Sequence, residues 1–267
     1  MNSYFFKLGF FGIKWYSVIM LMSIVVALFL IIKETKKEDI DSSFISDLAF
    51  YGIIVGIIGA RTYYVIFNWN YYGSHFFDIF KIWEGGLAIH GAMIAGSIFI
   101  IFYSLIKKYH PIKIIDITVV GLILGQVIGR WGNFMNSEAY GAITTKAALI
   151  KQKIPNFVIK GMHIDGAYYQ PTFWYESIWN LIGFIILISM RYFGKLKIGT
   201  LTCFYLFWYG FGRLIIEQYR SDSLSFMGIK VAQIVSLTMI LGSIIGYIII
   251  RNRPRLYYKN ELNQEAA

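Results

Sequence analysis

The sequence has little charge, a single cysteine and no recognisable metal-binding pattern. Charged residues make up 15% of the 267 residues, whereas an ordinary soluble domain carries about 25%. The one cysteine, Cys203, lies in an apolar run and cannot form a disulfide within the chain. Neither His-Glu-x-x-His nor Cys-x-x-Cys occurs, so we expect no metal and no cofactor. These absences argue against a soluble domain, a disulfide framework and a metalloenzyme.

What the sequence has instead is 57% hydrophobic residues, gathered in runs long enough to cross a bilayer. We predict an all-α polytopic membrane protein with about seven transmembrane helices and one integral membrane domain over residues 1–267. The predicted spans cover residues 16–32, 47–67, 88–106, 114–134, 172–190, 199–219 and 229–250. The first run is followed by Lys33-Glu34-Thr35-Lys36 rather than by a small-residue cleavage site, which favours an uncleaved span over a signal peptide.

Two connections between spans are long enough to have structure of their own. Residues 135–171 are polar and aromatic, and we expect them to form a small extracytoplasmic head. Residues 68–87 are rich in Trp, Tyr and Phe, which favour the membrane–water interface. This stretch is predicted either to lie along the membrane surface as an arm or to be a plain aromatic belt.

The net charge of +10 comes from basic residues in alternate connections. Their positions put one set of connections on the cytoplasmic side, with the N-terminus outside and the C-terminus inside. These residues are Lys33, Lys36, Lys37, Lys107, Lys108, Lys113, Arg191, Lys195, Lys197, Arg251, Arg253, Arg255 and Lys259. A nucleic-acid partner is therefore not expected, and the partner of the cationic connections is the lipid bilayer of a cell membrane.

The most informative stretch is Gly129-Arg130-Trp131-Gly132-Asn133-Phe134-Met135-Asn136-Ser137-Glu138-Ala139-Tyr140-Gly141, at the outer end of the fourth span. Ionisable groups at membrane depth are costly and usually functional. At about 100° per residue, Arg130, Asn133 and Asn136 are predicted to lie near one helical face. The alternative is a helix end with a snorkelling arginine and capping asparagines.

A second cluster lies at the outer end of the sixth span. Tyr209, Arg213, Glu217 and Arg220 are spaced four, four and three residues apart, which places them on one face of a continuous helix. Arg213 and Glu217 are predicted to form an i,i+4 ion pair. Two arginines and a tyrosine on that face favour an anion site over a solvated stripe.

His90 is the one histidine predicted at the start of a span, since His75, His110 and His163 lie in connections. It enters the third span after Glu84-Gly85-Gly86, from the same predicted side as Arg130. A histidine with an ordinary pKa near 6.5 can exchange a proton at neutral pH. A lone histidine of this kind can also be a packed interface residue.

Together these stretches resemble the prolipoprotein diacylglyceryl transferase family of bacterial membrane enzymes. Every fixed position of the family pattern Gly-Arg-x-Gly-Asn-Phe-x-Asn-x-Glu-x-x-Gly is filled by residues 129–141. Residues 209–220 fill its Tyr-Gly-x-x-Arg-x-x-x-Glu-x-x-Arg segment. Shorter matches occur in Lys14-Trp15-Tyr16, which offers Tyr16 as a lipid-site residue, in Gly59-Ala60-Arg61, and in Gln170-Pro171-Thr172 with Tyr175-Glu176.

The chain departs from the family pattern at two positions. Ala92 replaces the second glycine of a His-Gly-Gly motif, and Gln170 stands where many relatives have histidine. The second change leaves His90 as the better candidate for a catalytic histidine. The first can alter helix packing without changing the imidazole role.

The resemblance implies transfer of a diacylglyceryl group from phosphatidylglycerol to the lipobox cysteine thiol of a prolipoprotein signal peptide, near the outer leaflet of the bacterial cell membrane. Glycerol phosphate leaves and a thioether forms. On this interpretation the catalytic residues are His90, Arg130, Arg213 and Tyr209. The substrate-binding residues are Arg130, Asn133, Asn136, Glu138, Glu217, Tyr16 and Arg220.

The alternative function is an organic-anion or lipid transporter that uses the buried arginines as its binding site. Transporters commonly show two related halves with paired helix breaks, and no internal repeat is evident in this sequence. The sequence leaves open whether His90 removes the thiol proton or binds the lipid.

Overall fold

The computed structural model describes residues 4–8, 11–193, 196–220, 225–226 and 229–252, and these residues are mostly helical. The long helices are α1 (Trp15–Lys36), α2 (Ser42–Phe67), α4 (Ile89–Ile106), α5 (Pro111–Met135), α8 (Thr172–Phe193), α9 (Thr200–Ile216) and α10 (Val231–Asn252). Short helices lie between them: α3 (Trp69–Tyr72), α6 (Lys146–Lys151) and α7 (Asn156–Gly161). The strands are β1 (Tyr4–Leu8), β2 (Phe11–Lys14), β3 (Ile143–Thr144), β4 (His163–Ile164), β5 (Ala167–Tyr169), β6 (Ser225–Phe226) and β7 (Ile229–Lys230).

Five of these helices are long and apolar enough to cross a membrane: α1, α2, α5, α8 and α10. The prediction of an all-α polytopic membrane protein is therefore confirmed. Helix α9 has 17 residues, close to the lower limit of about 17 that a bilayer requires. Helix α4 is an apolar helix of similar length, and the count of seven spans stays a prediction. The basic residues Lys195, Arg253, Arg255 and Lys259, on which the predicted orientation partly rests, lie outside the described residues.

The chain divides into two compact units. The large unit comprises Met1–Ile31 and Asp116–Ala267, and the small unit comprises Ile32–Ile115. Helices α1 and α5 contribute to both units, while α8, α9 and α10 belong to the large unit and α2 and α4 to the small one. The expectation of one integral membrane domain stays a prediction.

In the large unit, α9 packs between α8 and α10. The rings of Trp179 on α8 and Trp208 on α9 stack with centroids 4.3 Å apart. Each indole N–H donates to the backbone carbonyl of the other tryptophan, at 3.0 Å in both directions. Because both polar groups are satisfied within the pair, the two large rings can lie between the helices. Their stacking fixes how α8 and α9 pack against each other.

The start of α9 is held by Asp116 of α5. Its fully buried carboxylate accepts hydrogen bonds from the backbone N–H of Gly199 at 2.6 Å and of Thr202 at 2.8 Å. It also accepts a hydrogen bond from the Thr202 hydroxyl. A carboxylate at a helix N-terminus satisfies otherwise unpaired N–H groups and interacts favourably with the helix dipole. Asp116, which interrupts an apolar run in the sequence, therefore ties α9 to α5 at the end of α9 remote from Arg213.

The predicted head is a small folded segment with its own core. Strands β3, β5 and β4 form an antiparallel three-stranded sheet in that order, and α6 and α7 lie between β3 and β4 in the chain. The core includes Phe134, Leu149, Ile154, Val158, Ile159, Met162 and Phe173. Because Phe134 belongs to α5 and Phe173 to α8, the head packs on the end of α5 and the start of α8. The end of α5 carries most of residues 129–141, called the signature stretch from here on.

In the small unit, α2 and α4 cross at close range. A Cβ on Gly91 would lie 2.3 Å from the Gly59 carbonyl oxygen and 2.4 Å from the Tyr63 Cβ. Any side chain larger than hydrogen at Gly91 would therefore force the helices apart. At the next position, Ala92 is accommodated with its side chain half-buried. The substitution of the family's second glycine is consistent with this packing.

The aromatic arm, residues 68–87, consists of α3 and two short 3₁₀ turns, Phe76–Phe80 and Ile82–Glu84. The Arg61 guanidinium of α2 holds it by donating to the carbonyls of Ile79 at 2.8 Å and Asp78 at 2.5 Å. The same guanidinium also donates to the carbonyls of Lys81, Gly85 and Gly86. Only 7% of Arg61 is exposed.

On the surface of the arm, hydrogen bonds from Lys81 and Tyr71 lower the pKa of the Asp78 carboxyl, so this carboxyl is ionised at neutral pH.

Candidate functional site

Three helix ends of the large unit bring an arginine–glutamate cluster together. The Arg130 Nε of α5 forms an ion pair with Glu176 Oε2 of α8. The Arg213 guanidinium of α9 reaches Glu176 Oε1 at 2.6 Å. Glu176 thus bridges two arginines that lie 83 positions apart in the chain.

The remaining members of the cluster come from the end of α9. Arg213 also pairs with Glu217 Oε2 at 2.8 Å, which confirms the predicted i,i+4 pair. An Arg220 nitrogen lies 3.8 Å from Glu176 Oε1. Glu176 and Glu217 are 5% and 1% exposed, whereas the side chains of the arginines at positions 130, 213 and 220 are 22%, 19% and 12% exposed. The carboxylates are therefore internal, and the guanidinium groups keep the remaining access to solvent.

Glu176 was not among the predicted site residues. Its signal in the sequence is its place in the Gln170–Glu176 stretch, one turn into α8. A carboxylate at the start of an apolar helix looks like an N-terminal dipole partner. Only the packing of α5, α8 and α9 shows that it serves as the shared counter-ion of the arginines.

Tyr209 lies one turn before Arg213 on α9 and interacts with Arg130. Its ring stacks on that of Tyr205, with centroids 5.8 Å apart. The Tyr205 hydroxyl accepts a hydrogen bond from Gln126 of α5 at 2.9 Å. A cleft beside the cluster is lined by Glu176, Trp179, Asn180, Tyr209, Gly212, Arg213 and Ile216. Tyr209 therefore contributes to both the arginine cluster and the cleft wall.

The signature stretch ends α5 and turns back on itself. Asn133 donates to Glu138 Oε1 at 3.1 Å, and Asn136 donates to Glu138 Oε2 at 2.6 Å. The helix ends at Met135, and the Asn136 N–H still donates to the Gly132 carbonyl at 3.0 Å, so Asn136 closes the last turn of α5. Ser137 and Ala139 both have positive φ, 51° and 55°, a strained conformation for non-glycine residues that often accompanies functional sites. This turn brings the Glu138 carboxylate back to the side-chain amides of Asn133 and Asn136.

Tyr16, the first of the predicted substrate-binding residues, lies against this stretch. A Cβ on Gly132 would lie 3.1 Å from Tyr16 Cδ2, so the ring packs on the buried backbone of α5. Tyr16 and Gly132 of α5 are therefore in contact although more than 100 residues separate them in the sequence.

Arg220 reaches the cluster by a different route from the predicted helix face. Helix α9 ends at Ile216 and continues as a 3₁₀ turn over Glu217–Tyr219, and Arg220 itself is extended. The prediction of one helical face for all four residues was therefore wrong for Arg220. The residue forms an antiparallel bridge with Gly141, the last residue of the signature stretch. A Cβ on Gly141 would lie 2.5 Å from the Tyr219 carbonyl oxygen, which is why this position requires glycine.

His90 belongs to the small unit, in the first turn of α4, and is half-buried. Its ring lies 6.1 Å from that of Tyr63 on α2. The turn before it is fixed by the Ala88 N–H, which donates to the Ala60 carbonyl at 3.0 Å. The other predicted site residues belong to the large unit.

The cluster in the large unit has an excess of positive charge, since three arginines face the two carboxylates of Glu176 and Glu217. Arginine binds carboxylate and phosphate with the same planar, bidentate geometry. A partly exposed arginine that now holds a carboxylate can therefore exchange part of that contact for a phosphate oxygen. In the part of the chain that the structure describes, no group of three or more His, Cys, Asp or Glu side chains is arranged to hold a metal ion.

The chain is similar to known proteins over most of its length. Residues 3–249 match the family model described as prolipoprotein diacylglyceryl transferase. The chain is 45% identical over 263 residues to a phosphatidylglycerol–prolipoprotein diacylglyceryl transferase of Listeria innocua, covering 97% of this chain and 94% of the relative. Relatives with the same name in Listeria monocytogenes and Streptococcus agalactiae are 47% and 42% identical. Each of those two alignments covers 97% of this chain, with 94% of the Listeria monocytogenes relative and 99% of the Streptococcus agalactiae relative. The chain belongs to the prolipoprotein diacylglyceryl transferase family.

Proposed function

We propose that this chain transfers the diacylglyceryl group of phosphatidylglycerol to the thiol of a lipobox cysteine in a prolipoprotein signal peptide. This would be the first step of bacterial lipoprotein maturation. The names of the relatives indicate the two substrate classes, and they lend no support to the transporter alternative. The single observation that carries the proposal is the cluster of Arg130, Arg213 and Glu176 at three helix ends.

The reaction exchanges a carbon–oxygen bond for a carbon–sulfur bond. The substrate sulfur attacks the glyceryl carbon next to the phosphate, the bond from that carbon to the phosphate oxygen breaks, and glycerol phosphate leaves with the bonding electrons. The nucleophile belongs to the peptide, so the enzyme needs no nucleophilic cysteine or serine of its own. The free Cys203 of this chain lies within α9 and has no part in this step.

Arg130 and Arg213 are proposed to stabilise the leaving phosphate. Negative charge grows on the phosphate oxygens as the bond breaks, and donors fixed in place before the reaction stabilise that charge most effectively. Glu176 fixes both guanidinium groups, and Tyr209 adds a hydroxyl next to Arg130. We propose that these groups receive the phosphate while Glu176 keeps them in position.

His90 is proposed to accept the thiol proton. A free thiol has a pKa of about 8.5, so only a few per cent is ionised at neutral pH. A positioned base removes this limit, and histidine has a suitable ordinary pKa of about 6.5. The placement of His90 in the first turn of α4, after a glycine turn held by Arg61, supports a fixed position for the imidazole.

The remaining residues are proposed to bind the lipid glycerol and phosphate groups. Asn133, Asn136 and Glu138 form a hydrogen-bonded set with spare amide and carboxylate capacity. Tyr16, Glu217 and Arg220 complete the proposed substrate-binding residues. From the alternation of basic connections we propose that these helix ends lie near the outer leaflet of the cell membrane, with the N-terminus outside and the C-terminus cytoplasmic.

The proposal is tested by incubating the purified full-length protein with phosphatidylglycerol vesicles and a synthetic lipobox peptide, and following the peptide by mass spectrometry. We expect the mass to rise by one diacylglyceryl group. The matched control is the same peptide with its cysteine replaced by serine, which should remain unmodified. Equal modification of the serine peptide would refute the thiol mechanism, and anionic solute flux in proteoliposomes without lipid transfer would establish the transporter instead.

A further inference from the structure

A lysine that no sequence pattern singles out holds the segment that carries Glu217 and Arg220. Lys230, the residue just before α10, donates from its ammonium to the carbonyl of Glu217 at 2.6 Å and to the carbonyl of Arg220 at 2.9 Å. Its side chain is half-buried. One charged group therefore fixes the backbone at both ends of the 217–220 segment.

The segment needs such a partner because of how α9 ends. The last carbonyls of a helix have no intrahelical donor and must find one elsewhere. After Ile216 the chain tightens into the 3₁₀ turn, in which the Glu217 carbonyl accepts the Arg220 N–H at 3.2 Å. The chain is then extended at Arg220, so the Arg220 carbonyl leaves the helical pattern. A cation near a helix C-terminus also interacts favourably with the helix dipole.

The same segment is held by the head as well. The Ala142 N–H donates to the Tyr219 carbonyl at 2.9 Å, and Gly141 forms the bridge with Arg220. The backbone of residues 217–220 is thus bound by the signature stretch and by the Lys230 ammonium. A shift of this backbone would move the Glu217 carboxylate that pairs with Arg213 and the Arg220 guanidinium near Glu176.

We infer that Lys230 is a positioning residue for binding of the lipid phosphate: it acts through the backbone of Glu217 and Arg220 and does not contact the substrate. This inference rests on the proposed function, since it assigns the arginine cluster to the phosphatidylglycerol headgroup. If Lys230 has this role, its removal should weaken the binding of phosphatidylglycerol and leave the binding of the peptide unchanged.

The structure offers a matched control in Lys197. The Lys197 ammonium donates to the carbonyls of Ile250 and Arg251 at 3.3 and 2.8 Å, so it makes the same kind of contact at the other end of α10. Lys230→Met and Lys197→Met each remove one ammonium bound to two backbone carbonyls. Any difference between them reports the location of the contact rather than its loss.

The test measures initial transfer rates of the full-length protein while phosphatidylglycerol and lipobox peptide are varied separately. Lys230→Met should raise the KM for phosphatidylglycerol about tenfold, the loss expected for one hydrogen-bonding charged group, with the KM for peptide unchanged. Lys230→Arg should restore most of the lipid affinity because it keeps the charge and the donors. Lys197→Met should leave both KM values at the wild-type level.

A second readout does not depend on turnover. Phosphatidylglycerol should raise the Tm of the wild type and of Lys197→Met, because a ligand that binds the folded state stabilises it, and this rise should shrink in Lys230→Met. If Lys230→Met folds poorly, Lys230→Gln replaces it in both measurements. An unchanged lipid KM and Tm rise, or equal effects of the two methionine variants, would overturn the role of Lys230. A wild type that binds the lipid but transfers nothing would instead count against the proposed reaction.

Discussion

Arginine is used in two different ways in the two units of this protein. In the small unit, the donors of Arg61 go to five backbone carbonyls of the arm and of the turn before α4, and the residue is buried. In the large unit, Arg130 and Arg213 are held by carboxylates and keep about a fifth of their side-chain surface exposed. The first arrangement consumes the donors of the guanidinium, and the second leaves donors for a ligand.

The difference shows how a functional arginine can be told from a structural one. Backbone carbonyls cannot leave without unfolding the arm, so Arg61 has nothing to exchange. A carboxylate such as that of Glu176 can share its arginines with a phosphate of similar geometry. Arg61, Arg130 and Arg213 each lie within a helix and close to a glycine, so their sequence context does not separate them, whereas their acceptors and exposure do.

The largest expected effect comes from the small unit and tests whether it contributes chemistry as well as structure. His90→Gln should lower kcat about 10²–10⁴-fold, the usual contribution of a general base, while lipid binding is retained. Raising the pH towards 9 should partly restore turnover, because more of the substrate thiol then ionises unaided. The measurement is the pH dependence of kcat for wild type and variant.

The pattern of rescue decides between the two roles of His90. If turnover is lost equally at every pH and lipid binding falls with it, His90 binds the headgroup. In that case the base must be sought among groups such as Tyr209 or Glu217. His163→Gln, on an exposed strand of the head, is the control and should behave as wild type.

The next effect concerns the arginines of the large unit. Arg130→Lys should lower kcat/KM about hundredfold, since an ammonium cannot reproduce a planar two-point contact with phosphate. The measurement is the transfer rate at limiting phosphatidylglycerol. Lys146→Arg on the exposed surface of the head is the matched exchange and should have little effect. Near-normal turnover of Arg130→Lys would show that positive charge alone is sufficient at this position.

Glu176→Gln separates two roles of the Glu176 carboxylate: it holds Arg130 and Arg213 in position, and it competes with the substrate phosphate for them. Loss of the carboxylate should lower kcat about tenfold because Arg130 and Arg213 are no longer held in place. It should also lower the KM for phosphatidylglycerol, since the internal competitor for the phosphate has been removed. Separate determination of kcat and KM tests both signs. A rise in KM would mean that Glu176 itself binds the lipid.

The smallest effect on activity is expected for Arg61→Lys. Lysine has three donors where Arg61 uses its fork on five carbonyls, so the free energy of unfolding should fall by about 2 kcal/mol. Activity per folded molecule should fall only about threefold. The measurements are the Tm, which should fall, and the rate of tryptic cleavage after Lys81, which should rise because the arm is held less firmly.

Glu84→Gln, an exposed change on the same arm, should alter neither the Tm nor the cleavage rate. An activity loss for Arg61→Lys as large as that for Arg130→Lys would contradict the division between structural and functional arginines drawn here.

Much of the fold could be predicted from the sequence because bilayer-crossing helices are encoded locally. A run of apolar residues long enough for the hydrocarbon core identifies a helix without knowledge of its neighbours, and each predicted span coincides with a helix in the structure. The strands were not predicted. They are two to five residues long, and pairs this short form only where tertiary contacts hold them together.

The candidate site was predictable in the same uneven way. Arg213 and Glu217 lie one turn apart, so their ion pair follows from helical spacing alone. The position of Arg220 does not, because the helix gives way to a 3₁₀ turn and an extended residue held by Gly141 and Lys230. Sequence spacing cannot anticipate where a helix ends when the partners of its last carbonyls come from other elements.

The sequence by itself determined the membrane class, the helices, the family and the residue types of the site. These depend on composition, local periodicity and fixed motif positions. Only the tertiary structure decided that Glu176 is the counter-ion shared by Arg130 and Arg213, that Arg61 is occupied by backbone carbonyls, and that Lys230 holds the end of α9. The physical reason is that a buried charge must find a partner, and the partner is chosen by which helix ends meet rather than by distance along the chain.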